Sequence, residues 1–260
     1  MAQIFFAHAN GLPAGTYSKL FQHLGQHQIS FHPAFGVGEY QVKTNWRPLV
    51  EELIDVLSQQ YENPVVGLGH SLGAAVMMMT AQKRPELFSR LIVMDPPFLS
   101  FKYRVLIRVI RTFGPSLFKY IFPLSRGTLN RRQHFPDRSS ATEYWEGKPF
   151  FSSFDPDCLK AYVNHGLIQG LEGGLTLTIP AKIEAQIFAT IPSRLPKISP
   201  DVQVDYLYAL GRGAVLGRKG LRELKMAYPT FKFHPQDGGH MFPLEDPVHT
   251  ASFIKSLLDT

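Results

Sequence analysis

Apolar positions recur with two different periods along the first hundred residues, and the two periods alternate. Residues 4–7 (Ile-Phe-Phe-Ala) are a short unbroken apolar run, the pattern of a strand buried on both faces. Tyr17, Leu20, Phe21 and Leu24 then fall at helical spacing, and 29–35 returns to an extended, aromatic-rich pattern. Thr44 or Asn45 is placed to cap a helix whose buried stripe is Leu49, Val50, Leu53, Ile54 and Leu57. Glu51, Glu52 and Asp55 form its wet face. Residues 65–68 predict a strand, 71–83 a helix and 91–94 another strand. The rhythm resumes late in the chain, with a strand over 202–210, a helix over 221–227 and a strand over 230–234. Asp246 and Pro247 open a last helix through Leu258, an aspartate cap followed by proline at the first helical position. Such repeats predict an α/β fold: a mostly parallel sheet with helices on both faces.

Between Phe98 and Thr190 the alternation is lost. Helical, basic pieces replace it, punctuated by Pro115, Pro123, Pro136, Pro149 and Pro156. The expected division is a core made of 1–97 and 191–260, with 98–190 inserted as a helical cap at the carboxyl ends of the strands. Charge follows the same division. Residues 98–148 hold ten basic and three acidic side chains, a local +7, so the rest of the chain sums to −1 although the whole carries +6. The stretch 103–122 carries Val105, Leu106, Ile107, Val109, Ile110 and Phe113, with Arg104, Arg108 and Arg111 along one edge. We expect its apolar side to face a pocket and its charges to face water; a membrane surface is the second reading. No nucleic-acid motif accompanies the charge, so nucleic acid is set aside as a partner. Phe98, Phe101, Tyr144, Trp145, Phe150 and Phe151 are candidates for an apolar pocket lining or for ordinary core.

Length and composition narrow the class. A chain of 260 residues, 44% hydrophobic and 18% charged, supports one sizeable α/β core with a small accessory unit. The single cysteine, Cys158, excludes an intramolecular disulfide framework and a multi-cysteine metal site, and it reads as a structural thiol. No apolar signal core and no membrane-length span is visible, so a cytoplasmic location is expected.

The chemistry concentrates at Gly69-His70-Ser71-Leu72-Gly73. A serine on a turn between strand and helix, with glycine two positions to either side, matches a nucleophile elbow. The strained backbone there brings strand and helix too close for side chains at those two positions. The helix that follows aims its first N–H groups at the place where negative charge develops. A serine needs a base, and among ten histidines His240 is favoured: it follows the last strand on a Gly-Gly turn that lets its ring reach back over the sheet edge. His8 and His70 read as structural, and His134 and His165 as residues within reach of substrate. The oxyanion donors are the N–H of Leu72 and, from the loop after the first strand, that of Asn10.

Residues 6–11 (Phe-Ala-His-Ala-Asn-Gly), the 69–73 elbow, Asp95-Pro96-Pro97 and residues 238–243 (Gly-Gly-His-Met-Phe-Pro) together resemble the α/β-hydrolase superfamily over essentially the whole chain. Residues 131–136 and 161–166 are similar to segments of its capped bacterial members. The resemblance implies that fold and a Ser…acid…His order. Most members carry the acid after the penultimate strand, where this chain has Ala214; a minority carry it one strand earlier, where Asp95 stands. Asp95 is therefore the expected acid, ahead of Asp237, Asp205 and Asp201. Serine at 71 argues against dehalogenase and epoxide-hydrolase chemistry, which use an aspartate there. The expected function is a serine hydrolase of carboxylic esters, using Ser71, His240 and Asp95 and no metal or organic cofactor. Its expected substrate is a small molecule with an apolar portion. Thioester, amide or carbon–carbon bond cleavage, and a non-catalytic small-ligand receptor, are the alternatives.

Overall fold

The apolar run at residues 4–7 has no polar side to offer water, and it forms β1 (Gln3–Ala7) at the centre of the molecule, fully buried from Ile4 onward. The computed structural model describes residues 1–113, 122–171 and 173–259. After β1 come α1 (Ser18–Leu24), β2 (Gln28–Phe31), α2 (Arg47–Gln60), β3 (Val65–His70), α3 (Leu72–Lys83) and β4 (Phe88–Met94). The middle of the chain gives α4 (Phe101–Phe113), α5 (Pro123–Leu129), β5 (His134–Phe135), α6 (Arg138–Glu146), α7 (Pro156–His165), β6 (Leu167–Gln169), β7 (Leu175–Leu177) and α8 (Ala181–Ala189). The chain ends with β8 (Val204–Ala209), α9 (Arg218–Ala227), β9 (Lys232–Gln236), α10 (Phe242–Glu245) and α11 (Pro247–Leu258).

Six strands pair in the order β2-β1-β3-β4-β8-β9, every pair parallel. Side chains alternate across a strand, so the sheet buries two cores. Phe5, Ala7, Val93 and Tyr206 face α2 and α3 on one side; Ile4, Phe6, Ile92 and Leu207 face α1 and α11 on the other. Parallel pairing also places every carboxyl end on one edge, which gathers the turns after β3, β4 and β9. The segment between β4 and β8 contributes five helices among the described residues and a separate antiparallel sheet, β5-β7-β6.

One local expectation holds at the level of atoms. Asp246 caps α11 by accepting the His249 N–H at 2.9 Å, whereas Trp46, not Thr44 or Asn45, stands at the N-cap of α2, and Asn45 Oδ1 accepts the Arg47 N–H at 2.9 Å from one residue before it. Others need correction. Glu52, assigned to the wet face of α2, is buried: it accepts the Gly36 N–H at 2.9 Å and meets His32 at 3.0 Å, because the loop after β2 folds down over the helix. The extended pattern over 29–35 yields only the short β2, since Pro33 has no N–H to give a ladder. The amphipathic face of α4 is turned against expectation. Phe101, Val105, Leu106 and Val109 are exposed while Ile107 is buried. Arg111 points inward, donating to the carbonyls of Ala189 and Ile191 at 2.6 and 2.8 Å, so main-chain acceptors at and just past the end of α8 fix the rotation of the helix. The expected Pro115 break and the Phe113 side chain lie outside the described residues.

Of the candidate pocket aromatics, Phe98, Trp145 and Phe151 are core, whereas Phe101 and Phe150 are exposed. Trp145, Phe151, Phe135 and Tyr162 pack against one another as tilted rings with centroids 4.6–6.0 Å apart, which accounts for them as core packing. Cys158 is buried, and burial pushes its thiol up to about 12, the state of an inert structural thiol. No helix among the described residues is long and apolar enough to cross a membrane.

Candidate active site

Ser71 stands between β3 and α3 with φ 52° and ψ −113°. Together with Asp95 (φ 43°) it is one of two non-glycine residues with positive φ among the described residues. That conformation costs on the order of 1–3 kcal/mol and persists only where the surroundings enforce it. They do. The Ser71 N–H donates to Met94 O at 2.9 Å and the Asp95 N–H to Leu207 O at 2.8 Å, continuing the sheet ladder past the strand ends. A serine heading a helix normally caps it; here the turned backbone leaves Oγ without a capping bond and free to meet another partner.

The two elbow glycines are required for the reason the motif implies. A Cβ on Gly69 would lie 2.7 Å from the backbone of Ala74, and one on Gly73 would overlap the Ala7 carbonyl. The Gly73 N–H also donates to His8 O at 3.0 Å, tying the start of α3 to the loop after β1.

His240 arrives from the turn after β9. Gly238, at φ 97°, makes that turn; the Gly211 N–H donates to Gly238 O at 2.7 Å and the Gly239 N–H to Glu245 Oε2 at 2.8 Å. The imidazole lies between the other two side chains. Its Nδ1–H donates to Asp95 Oδ2 at 2.7 Å, and Nε2 accepts the Ser71 hydroxyl at 2.9 Å. Asp95 is 2% exposed and Ser71 8%, so both sit out of bulk water. The Asp95 carboxylate accepts a charge-assisted hydrogen bond from the neutral imidazole, which fixes the ring's tautomer and direction.

Two further histidines support the arrangement. His70 donates from Nε2 to the carbonyl of His240 at 2.9 Å, while its Nδ1 accepts the Tyr17 hydroxyl at 2.6 Å. His8 donates from Nδ1 to Ala9 O and accepts the Phe35 N–H at Nε2, both at 2.8 Å. Burial lowers His70 to about 3 and His8 to about 4, so each stays neutral with its tautomer fixed by its partners. Tyr17, read from sequence only as a helix-face residue, thus holds the His240 loop through His70. A helical period reveals its burial but not its partner 53 positions away.

The rival acids are engaged or remote. Asp205 is buried against Arg90 at 2.7 Å and His234 at 2.8 Å, Asp201 bonds Ser199, and Asp237 is exposed. Leu72 is the first residue of α3, so its N–H has no intrahelical acceptor. Asn10 lies in the loop after β1, its side-chain amide donating to Glu184 O at 3.0 Å. His134 and His165 lie on β5 and at the end of α7, and His165 packs over Gly15. Two surface hollows, of about 240 and 320 Å³, share no lining residue with the Ser71 site. Among the described residues no group of three His, Cys, Asp or Glu side chains is arranged to hold a metal ion.

A sheet of this topology with a serine at the β3–α3 turn agrees with the match of residues 4–251 to the model of the alpha/beta hydrolase family. The chain belongs to the alpha/beta hydrolase family. Within it, the chain is similar to the monoglyceride lipase of Rattus norvegicus, 32% identical over 109 residues covering 38% of this chain and 36% of that protein. It is also similar to the type I acyl-CoA thioesterase mpaH of Penicillium brevicompactum, 24% identical over 182 residues covering 61% of this chain and 38% of that protein. The chain thus matches under two fifths of the length of either relative. Among solved structures, E-2-(acetamidomethylene)succinate hydrolase superposes with a TM-score of 0.75 at 17% identity, covering 100% of this chain and 91% of that one; this likeness is one of fold.

Proposed function

We propose that this alpha/beta hydrolase is a serine hydrolase of carboxylic esters. The observation that carries the reading is the unbroken relay from Ser71 Oγ through the His240 ring to Asp95 Oδ2. Ser71 attacks the acyl carbon while His240 Nε2 takes its proton, and Asp95 stabilises the imidazolium that forms. The tetrahedral oxyanion is received by the N–H groups of Leu72 and Asn10. Its collapse expels the alkoxide, which leaves with the proton from His240. Water, deprotonated by the same nitrogen, then releases the acid and restores Ser71. Protein groups supply every proton transfer, so the scheme calls on no metal or organic cofactor. The segment 98–190 serves as a cap over the carboxyl edge of the sheet.

Similarity to an acyl-CoA thioesterase favours thioesters as the second substrate class, since the same attack on an acyl carbon cleaves either bond. The test is a panel of p-nitrophenyl esters and acyl thioesters of graded chain length, with Ser71→Ala as control. Turnover that Ser71→Ala abolishes supports the reading, and the preferred leaving atom decides between ester and thioester. Turnover that survives in Ser71→Ala removes Ser71 as the nucleophile.

A further inference from the structure

We propose that Glu184, held by Arg131, is a positioning residue that braces the loop after β1 in the conformation that presents the Asn10 N–H to the oxyanion. This deepens the serine-hydrolase reading and depends on it. Glu184 lies on α8, outside the Ser71 relay, and its side chain is 9% exposed. Its main-chain oxygen accepts the Asn10 amide at 3.0 Å. Its carboxylate lies directly over Gly11: a Cβ on that glycine would be 2.5 Å from Glu184 Cδ and 2.7 Å from both oxygens. Gly11 has φ 74°, so the loop turns there in a conformation that needs glycine, and the carboxylate fills the space a side chain would occupy.

The brace is itself anchored. Arg131 Nη2 lies 2.7 Å from Glu184 Oε2, and the Thr128 hydroxyl donates to Oε1 at 3.5 Å. Either side of Glu184, α8 is pinned by the Gln133 side chain on the Ala181 N–H and by the Ser125 hydroxyl on Ala185 O. A buried ion pair gives little net stability over an apolar replacement of the same volume. Its place under this loop is accounted for by placement: it fixes one carboxylate against one glycine beside the second oxyanion donor. Burial pushes the Glu184 carboxyl above its ordinary range, and the Arg131 guanidinium beside it opposes that shift.

Two variants test the brace from opposite sides. Glu184→Ala removes the carboxylate over Gly11; Asn10→Ala keeps the Asn10 N–H but removes its bond to α8. The second should fold well, because it also deletes a buried amide oxygen, Asn10 Oδ1, that has no partner among the described residues. With p-nitrophenyl acetate as substrate, each should lower kcat by between about tenfold and about a hundredfold with KM within about twofold. Glu184→Gln, which keeps the shape and an acceptor for Arg131, should retain most of kcat. Should Glu184→Ala fail to fold, Arg131→Met, which leaves the carboxylate over Gly11 without its partner, takes its place and should lower kcat in the same way. Wild-type kcat in the folded variants, a loss confined to KM, or a loss in Glu184→Gln as deep as in Glu184→Ala overturns the proposal. Labelling of wild-type Ser71 by a fluorophosphonate is the control: its absence fails the hydrolase reading itself, whereas normal labelling with unchanged variant kinetics fails only the brace.

Discussion

Asp95 shows how much one backbone angle can commit a residue to a task. Its φ of 43° turns the carboxylate off the end of β4 toward a ring 145 positions further along the chain. Asparagine tolerates the same left-handed conformation, so Asp95→Asn should fold normally while offering His240 Nδ1 the wrong kind of partner. The expected loss in kcat is about 10⁴-fold, read by ester turnover beside a wild-type melting curve. A smaller effect in Asp237→Asn would fit the exposed position of that side chain. The turn at Ser71 was legible in the sequence because its flanking glycines fall between a strand pattern and a helix pattern, which the structure shows as β3 and α3. Asp95 came from the resemblance, which implies an acid one strand earlier when the position after the penultimate strand is Ala214. Its strain, its burial and its bond to His240 are products of long-range packing and leave no local trace. The inward turn of Glu52 was hidden for the same reason: a helix-face period cannot tell which loop will cover that face.

At the scale of elements, the elbow is a close approach of β1, β3 and α3, and its glycines separate into two kinds. Gly73→Ala would drive a Cβ into the main chain of Ala7, which cannot move without disturbing the central strand. It should cost more than about 2 kcal/mol and most of the activity. Gly127→Ala, inside α5 with nothing within 4 Å of its Cβ, should stabilise the protein by about 0.5–1 kcal/mol. Chemical denaturation of the two variants side by side checks both signs. The central strands β1, β3, β4 and β8 and helix α2 were readable because their apolar positions recur without interruption. The segment between β4 and β8 was readable only as a change of rhythm. There β5, β6 and β7 are two or three residues long, too short for any period to register, and α4 is rotated by carbonyls that no sequence pattern displays.

The whole molecule carries a pH signature set by two buried histidines. His8 and His70 bind protons near pH 6.5 when unfolded but only near about 4 and about 3 when folded. Between those limits the unfolded chain holds more protons, so stability is full above about pH 6.5 and falls as pH drops toward 4. Thermal midpoints across that range should fall steadily with acid, and His70→Asn should flatten the dependence; a midpoint independent of pH would contradict the assignment. The proposed chemistry needs three turns on one edge of a parallel sheet, and the all-parallel strand order puts the turns after β3, β4 and β9 on that edge. The most direct test is the intact mass of the folded protein after reaction with a fluorophosphonate, followed by peptide mapping. One adduct on Ser71, lost in Ser71→Ala and strongly slowed in His240→Ala, is the predicted result. An unmodified protein, or an adduct on any other residue, would contradict the account.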